Sequence, residues 1–97
     1  MPTYLALARW TPKGVEQIKE STSRFDAARK AFESHGVKLK DFYMLLGQYD
    51  MALIVESPDD ATLARVSLSL ASQGSVRTET LRAFTEDEYR KIMSGLR

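Results

Sequence analysis

Two periods of apolar residues alternate along the chain. Thr3 to Trp10 is a short apolar run bounded by Pro2 and by Thr11-Pro12, and it predicts a first strand. Val15, Ile18, Thr22, Phe25, Ala28 and Phe32 then recur at steps of three and four, the stripe of one long amphipathic helix. Thr11 reads as its N-cap with Pro12 at the first helical position, where a missing N–H costs nothing. Gly36 stands where a left-handed residue would end that helix.

Val37 to Leu46 and Asp50 to Glu56 predict strands two and three, joined by a tight turn at Gly47-Gln48. Alternation puts Phe42, Met44, Leu46, Met51, Leu53 and Val55 on a wholly apolar face that should pack on helices. The opposite face carries Leu39, Asp41, Tyr43, Leu45, Ala52, Ile54 and Glu56, with Asp50 beside the turn. Ser57-Pro58-Asp59-Asp60 predicts a second helix, capped by Ser57 and running to about Ser72 before Gly74. Its apolar residues spread around much of the circumference, so it should touch more than the sheet beneath it. Ser75 to Phe84 predicts strand four. Thr85 and Glu88 then form a capping box, with Phe84 and Tyr89 placed as a hydrophobic staple, and Tyr89, Ile92, Met93 and Leu96 make the stripe of a short C-terminal helix.

The order β-α-β-β-α-β-α spells an α+β fold: a ferredoxin-like β-α-β-β-α-β unit with a four-stranded antiparallel sheet and a C-terminal helix. Two helices cover only one face of such a sheet. The other would leave a large apolar patch in water, and the expected remedy is a second copy packed sheet to sheet.

Length and composition narrow the functional classes. The chain has 97 residues, room for one small domain over 1–97. Fourteen Lys and Arg against thirteen Asp and Glu give a net charge of +1, no electrostatic footprint for nucleic acid or an anionic membrane. The RNA-recognition motif shares the β-α-β-β-α-β order, but strand three here lacks that module's basic and aromatic string. With no cysteine there is no disulfide, thiolate metal site or cysteine nucleophile. A single histidine, His35, excludes sites that need two imidazoles, and no metal or cofactor is expected. The first residues form no signal sequence and no stretch is long enough for a membrane span, so a cytoplasmic protein is expected.

The stretch Gly47-Gln48-Tyr49-Asp50 after an apolar strand, followed by Pro58-Asp59-Asp60, resembles the GYD domain family, named for that Gly-x-Tyr-Asp signature. Thr11, Gly14, Ser23-Arg24, Asp41-Phe42-Tyr43 and the segment from Gly74 to Thr85 extend the resemblance over nearly the whole chain. It implies a chain that dimerises as an α+β barrel, an architecture shared with antibiotic-biosynthesis-type monooxygenases, muconolactone-isomerase-like enzymes, haem-dependent chlorite dismutases and transcription-regulator ligand domains. One architecture hosts many chemistries, so the fold is implied more strongly than the activity.

Tyr49 and Asp50 are the sharpest candidates: a phenol and a carboxylate at a sheet end can bind or deprotonate a small organic ligand. The alternative is that Asp50 accepts backbone or arginine hydrogen bonds at the hairpin. Tyr43 shares the mixed face with Asp50, and Arg82 beside them would suit a carboxylate or phenolic ligand, or else fix a dimer register. Arg24, inside the long helix, and Trp10, at the end of strand one, are candidates to wall a pocket; surface and anchoring roles are the alternatives. These residues predict a homodimer, or a higher multiple of it, that binds a small organic molecule. One alternative is a small cofactor-independent enzyme, monooxygenase- or isomerase-like, acting on an aromatic or enolisable compound through Tyr43, Tyr49 and Asp50. Another is a purely structural oligomer subunit.

Overall fold

Residues 1–97 are all described by a computed structural model. Thr3–Trp10 forms β1, and the alternate residues Tyr4, Ala6 and Ala8 are buried. Lys38–Met44 is β2, Met51–Glu56 is β3 and Val76–Ala83 is β4. They make one four-stranded sheet in the order β2-β3-β1-β4, with every pair antiparallel. The expected α+β architecture is therefore present.

The stripe read as one long helix is three pieces. Pro12–Glu16 is α1, Ile18–Glu20 is a 3-10 turn and Ser21–Ser34 is α2. The break follows from how α1 is tied down. The Thr11 N–H donates to the Ser75 carbonyl at 3.0 Å, and the Thr11 hydroxyl donates to that of Gly74. Gly14 is buried so tightly there that an added Cβ would stand 2.2 Å from the Ser75 oxygen. Alpha1 is thus fixed to the start of β4, and the chain redirects before α2 can lie on the sheet. Gly36 ends α2 region with φ +75°, the left-handed conformation expected of it.

Asp60–Ser72 is α3. Its N-cap is Asp59, whose carboxylate accepts the Thr62 N–H at 2.7 Å, and not Ser57. Ser57 is fully buried, and its hydroxyl donates to the Asp59 carbonyl at 2.9 Å. As expected, α3 touches more than the sheet: it also meets α2, with Leu63 and Val66 in one cluster with Phe32, while Leu68 on its outer side stays exposed. Glu86–Ser94 is α4, started by the predicted capping box between Thr85 and Glu88.

The core lies between the sheet and the pair α2 and α3. Phe32 from α2 and Leu63 and Val66 from α3 meet Tyr4, Ala6, Val37, Leu53 and Val55. Each fully buried Val or Leu side chain contributes about 1.5–3 kcal/mol.

A bulge corrects the predicted faces. Leu39 pairs with Val55 but Asp41 pairs with Ile54, so Lys40 is the extra residue in β2. The extra residue turns Leu39 to the helix side, where it packs against the core. At the other end of the hairpin, Met44 is 66% and Leu46 96% exposed, so the predicted apolar face is not covered along its whole length. The turn itself keeps the predicted register: the Leu45 N–H donates to the Asp50 carbonyl at 2.8 Å, which puts Gly47 and Gln48 at the tip.

Candidate functional site

The uncovered face of the sheet carries Leu5, Leu7, Ala52, Ile54 and Leu81, alternating with the buried positions of their strands. Tyr43 stands on it, 59% exposed, opposite Ala52. Charges of both signs border this apolar strip: Arg9 pairs with Arg77, Glu79 lies opposite Leu7, and Asp41 lies opposite Ile54.

Tyr49 folds back over one corner of the same face. Its hydroxyl donates to the Glu79 carboxylate, and the Arg9 guanidinium lies 4.5 Å from its ring centre. The hydrogen bond to Glu79, with some desolvation and the nearby negative charge, raises the Tyr49 pKa. Arg9 is anchored in turn by donating to the Gln48 carbonyl at 2.7 Å. Asp50 does not join this cluster by any hydrogen bond or ion pair. Its carboxylate accepts the Trp10 N–H at 3.0 Å, and its own N–H donates to the Ala8 carbonyl at 2.9 Å.

Arg82 lies on the other side of the sheet. The register pairs it with buried Tyr4, because β4 meets β1 in the phase that turns Thr78, Thr80 and Arg82 toward the helices. Its guanidinium lies 4.5 Å from the Phe84 ring centre, donates to the Thr3 carbonyl at 3.2 Å and approaches Glu88 at 3.8 Å. The sheet therefore separates Arg82 from Tyr43, Tyr49 and Asp50. Beside Arg82, the Tyr4 hydroxyl donates to Asp60, and that hydrogen bond, with burial, raises the Tyr4 pKa.

Trp10 and Arg24 do meet at one cavity. A space of about 370 Å³ lies between α2, α3 and the helix side of the sheet. Its floor is low because Ala6 and Ala8 on β1 are small, and Ala28 on α2 leaves further room. Phe25, Phe42, Trp10, Met51 and Leu70 wall it. Arg24 reaches its lining from α2, held by donating to the carbonyls of Gln17 at 2.8 Å and Gly14 at 3.4 Å. No cluster of three His, Asp or Glu side chains is placed to hold a metal ion, and no helix is long and apolar enough to cross a membrane.

The sequence offers no site role for Arg9, Glu79 or Tyr4, and it marks Asp60 only as part of a helix start. Tyr4 alternates with Ala6 and Ala8, and a buried tyrosine needs a partner for its hydroxyl; that signal was legible. The pairing of Tyr49 with Arg9 and Glu79 depends on strand order, which short-range periodicity does not carry.

The family model described as "GYD domain" matches residues 4–93. A Thermus thermophilus protein named "Glutamine synthetase and cystathionine beta-lyase binding protein" is 40% identical over 84 residues, covering 86% of this chain and 88% of that protein. The crystal structure of TTHA0845, also from Thermus thermophilus, superposes with a TM-score of 0.56 at 28% identity, covering 88% of this chain and 95% of that one. The solution structure of the C-terminal domain of the MgtC protein from Mycobacterium tuberculosis reaches the same TM-score, 0.56, at 17% identity, covering 84% and 86%; that likeness is one of fold.

Proposed function

Because this chain belongs to the GYD domain family, we propose that it is a cytoplasmic binding protein that works as a homodimer and docks on metabolic enzymes. The observation that carries the reading is the bare sheet face, with an apolar strip of Leu5, Leu7, Ile54 and Leu81 bordered by both Arg9 and Arg77 and by Glu79 and Asp41. A face with both signs of charge can complement a rotated copy of itself, and burial of its apolar strip supplies the driving force. The amphipathic α4 then remains as a rim element, with Tyr89, Ile92 and Met93 exposed for an enzyme partner. The name of the Thermus relative supports partners of the glutamine synthetase and cystathionine beta-lyase kind.

The test is size-exclusion chromatography with light scattering, alone and with each purified enzyme. The expected result is a dimer that co-elutes with one or both enzymes, and an Ile92→Glu variant that stays dimeric but elutes apart. A monomer at micromolar concentration removes the dimer; a dimer that binds neither enzyme removes the docking.

The cavity of about 370 Å³ favours a second reading, that the dimer also holds a small organic molecule. The enzyme alternative needs Tyr43, Tyr49 and Asp50 around one substrate. The engagement of Asp50 by the Trp10 N–H supports binding over turnover.

A further inference from the structure

We propose that the cavity between α2, α3 and the sheet takes an aromatic monocarboxylate, its ring among Trp10, Phe25 and Phe42 and its carboxylate on Arg24. The proposal rests on the small-molecule reading above and assigns the class of ligand.

Arg24 is the only charged side chain in the lining, and it forms no ion pair with any carboxylate. Arg24 is half-buried, and its guanidinium donates to two backbone carbonyls, at 2.8 and 3.4 Å, with no carboxylate among its partners. A guanidinium has five N–H donors, so the two bonds already made leave further donors for an anion. One cation matches one negative charge; a phosphate ester or a dicarboxylate would bring more charge than the lining can meet. A planar carboxylate also matches the fork of the guanidinium, which a single spherical anion does not.

The rest of the ligand is read from the walls. Fifteen of the twenty-two lining residues are hydrophobic, so the body of the ligand is apolar. Phe25 and Phe42 stand with ring centres 4.3 Å apart and planes tilted by 41°, and Trp10 adds a third aromatic surface. Such rings accept another ring edge-on or offset-stacked. The volume of about 370 Å³ accommodates a one- or two-ring compound.

The probe is naphthoate, titrated into the native protein by calorimetry against naphthamide, which has the same rings and no charge. Naphthoate is expected to bind with an advantage of about tenfold or more, the increment of one charge-assisted pair. Arg24→Gln should remove that advantage and Arg24→Lys should keep part of it. Ala8→Phe, which fills the floor, should abolish binding of both probes while circular dichroism reports a folded chain. Tyr43→Ala, on the other side of the sheet, should change nothing. Equal binding of the two probes by the native protein overturns the carboxylate assignment and leaves the small-molecule reading standing. Binding of neither probe by the native protein overturns this proposal and that reading for aromatic ligands. Binding lost on Tyr43→Ala but kept on Ala8→Phe moves the ligand to the other face and overturns the proposal.

Discussion

The Trp10 N–H donates to the Asp50 carboxylate across 3.0 Å, at the point where β1 runs past the last ladder pair it makes with β3. The side chain of Asp50 thus replaces a backbone acceptor that β3 no longer offers. Asp50→Asn keeps an acceptor oxygen and is expected to cost less than about 1 kcal/mol. Asp50→Ala leaves the N–H without that partner and is expected to cost about 1–3 kcal/mol. Urea denaturation of both variants checks the ordering; equal losses would mean that the carboxylate charge matters more than the hydrogen bond.

Gly14→Ala puts a methyl group 2.2 Å from the Ser75 carbonyl oxygen, an atom of backbone that cannot swing aside. The expected loss is about 1–3 kcal/mol, the usual cost of overpacking, and α1 should separate from the start of β4. Hydrogen exchange at Thr11, whose N–H is bonded to Ser75, should accelerate in the variant while that of Tyr4 stays slow.

Acid sensitivity should trace in part to the cap of α3. The Thr62 N–H bonded to Asp59 holds that carboxyl below its ordinary range, with Arg65 adding a smaller effect in the same direction. A depressed folded pKa means a contribution that is present above the unfolded pKa of about 3.9 and lost as pH falls through the folded value. Thermal unfolding from pH about 5 down to about 2 should therefore fall less steeply for Asp59→Asn than for the native chain.

The bare sheet face offers a direct handle on assembly. Leu81 is 42% exposed and pairs with Leu5 in the centre of the apolar strip. In the proposed dimer Leu81→Glu would set two like charges against each other across the two-fold axis, and the expected result in light scattering is a monomer at unchanged helix content. A dimer that survives this substitution uses a different surface.

The strand and helix order was legible because the signals were local. The limits of β1 were read to the residue from its flanking prolines and Trp10, and the Thr85–Glu88 capping box formed as written. One failure was local, the cap of α3, where Asp59 takes the place expected of Ser57; the others were non-local. The break after α1 comes from Gly14 meeting Ser75, which is distant in sequence. The bulge at Lys40 depends on which residues of β3 lie opposite. Arg82 falls on the opposite side of the sheet from Tyr43 and Asp50 because the phase of β4 against β1 is fixed only by pairing. Of the candidate site residues, Trp10 and Arg24 share the cavity, and Tyr49 finds Arg9 and Glu79 instead of Asp50.

Only 12 of the 97 residues are buried, all within a slab whose shortest extent is 18 Å. So thin a core gives the lone chain a small margin against unfolding. If two sheets close on each other, association and folding become one equilibrium. The midpoint of thermal unfolding then rises with protein concentration, each dilution trading dimer for unfolded chain. Cellular abundance would set the stability of this protein as much as its sequence does.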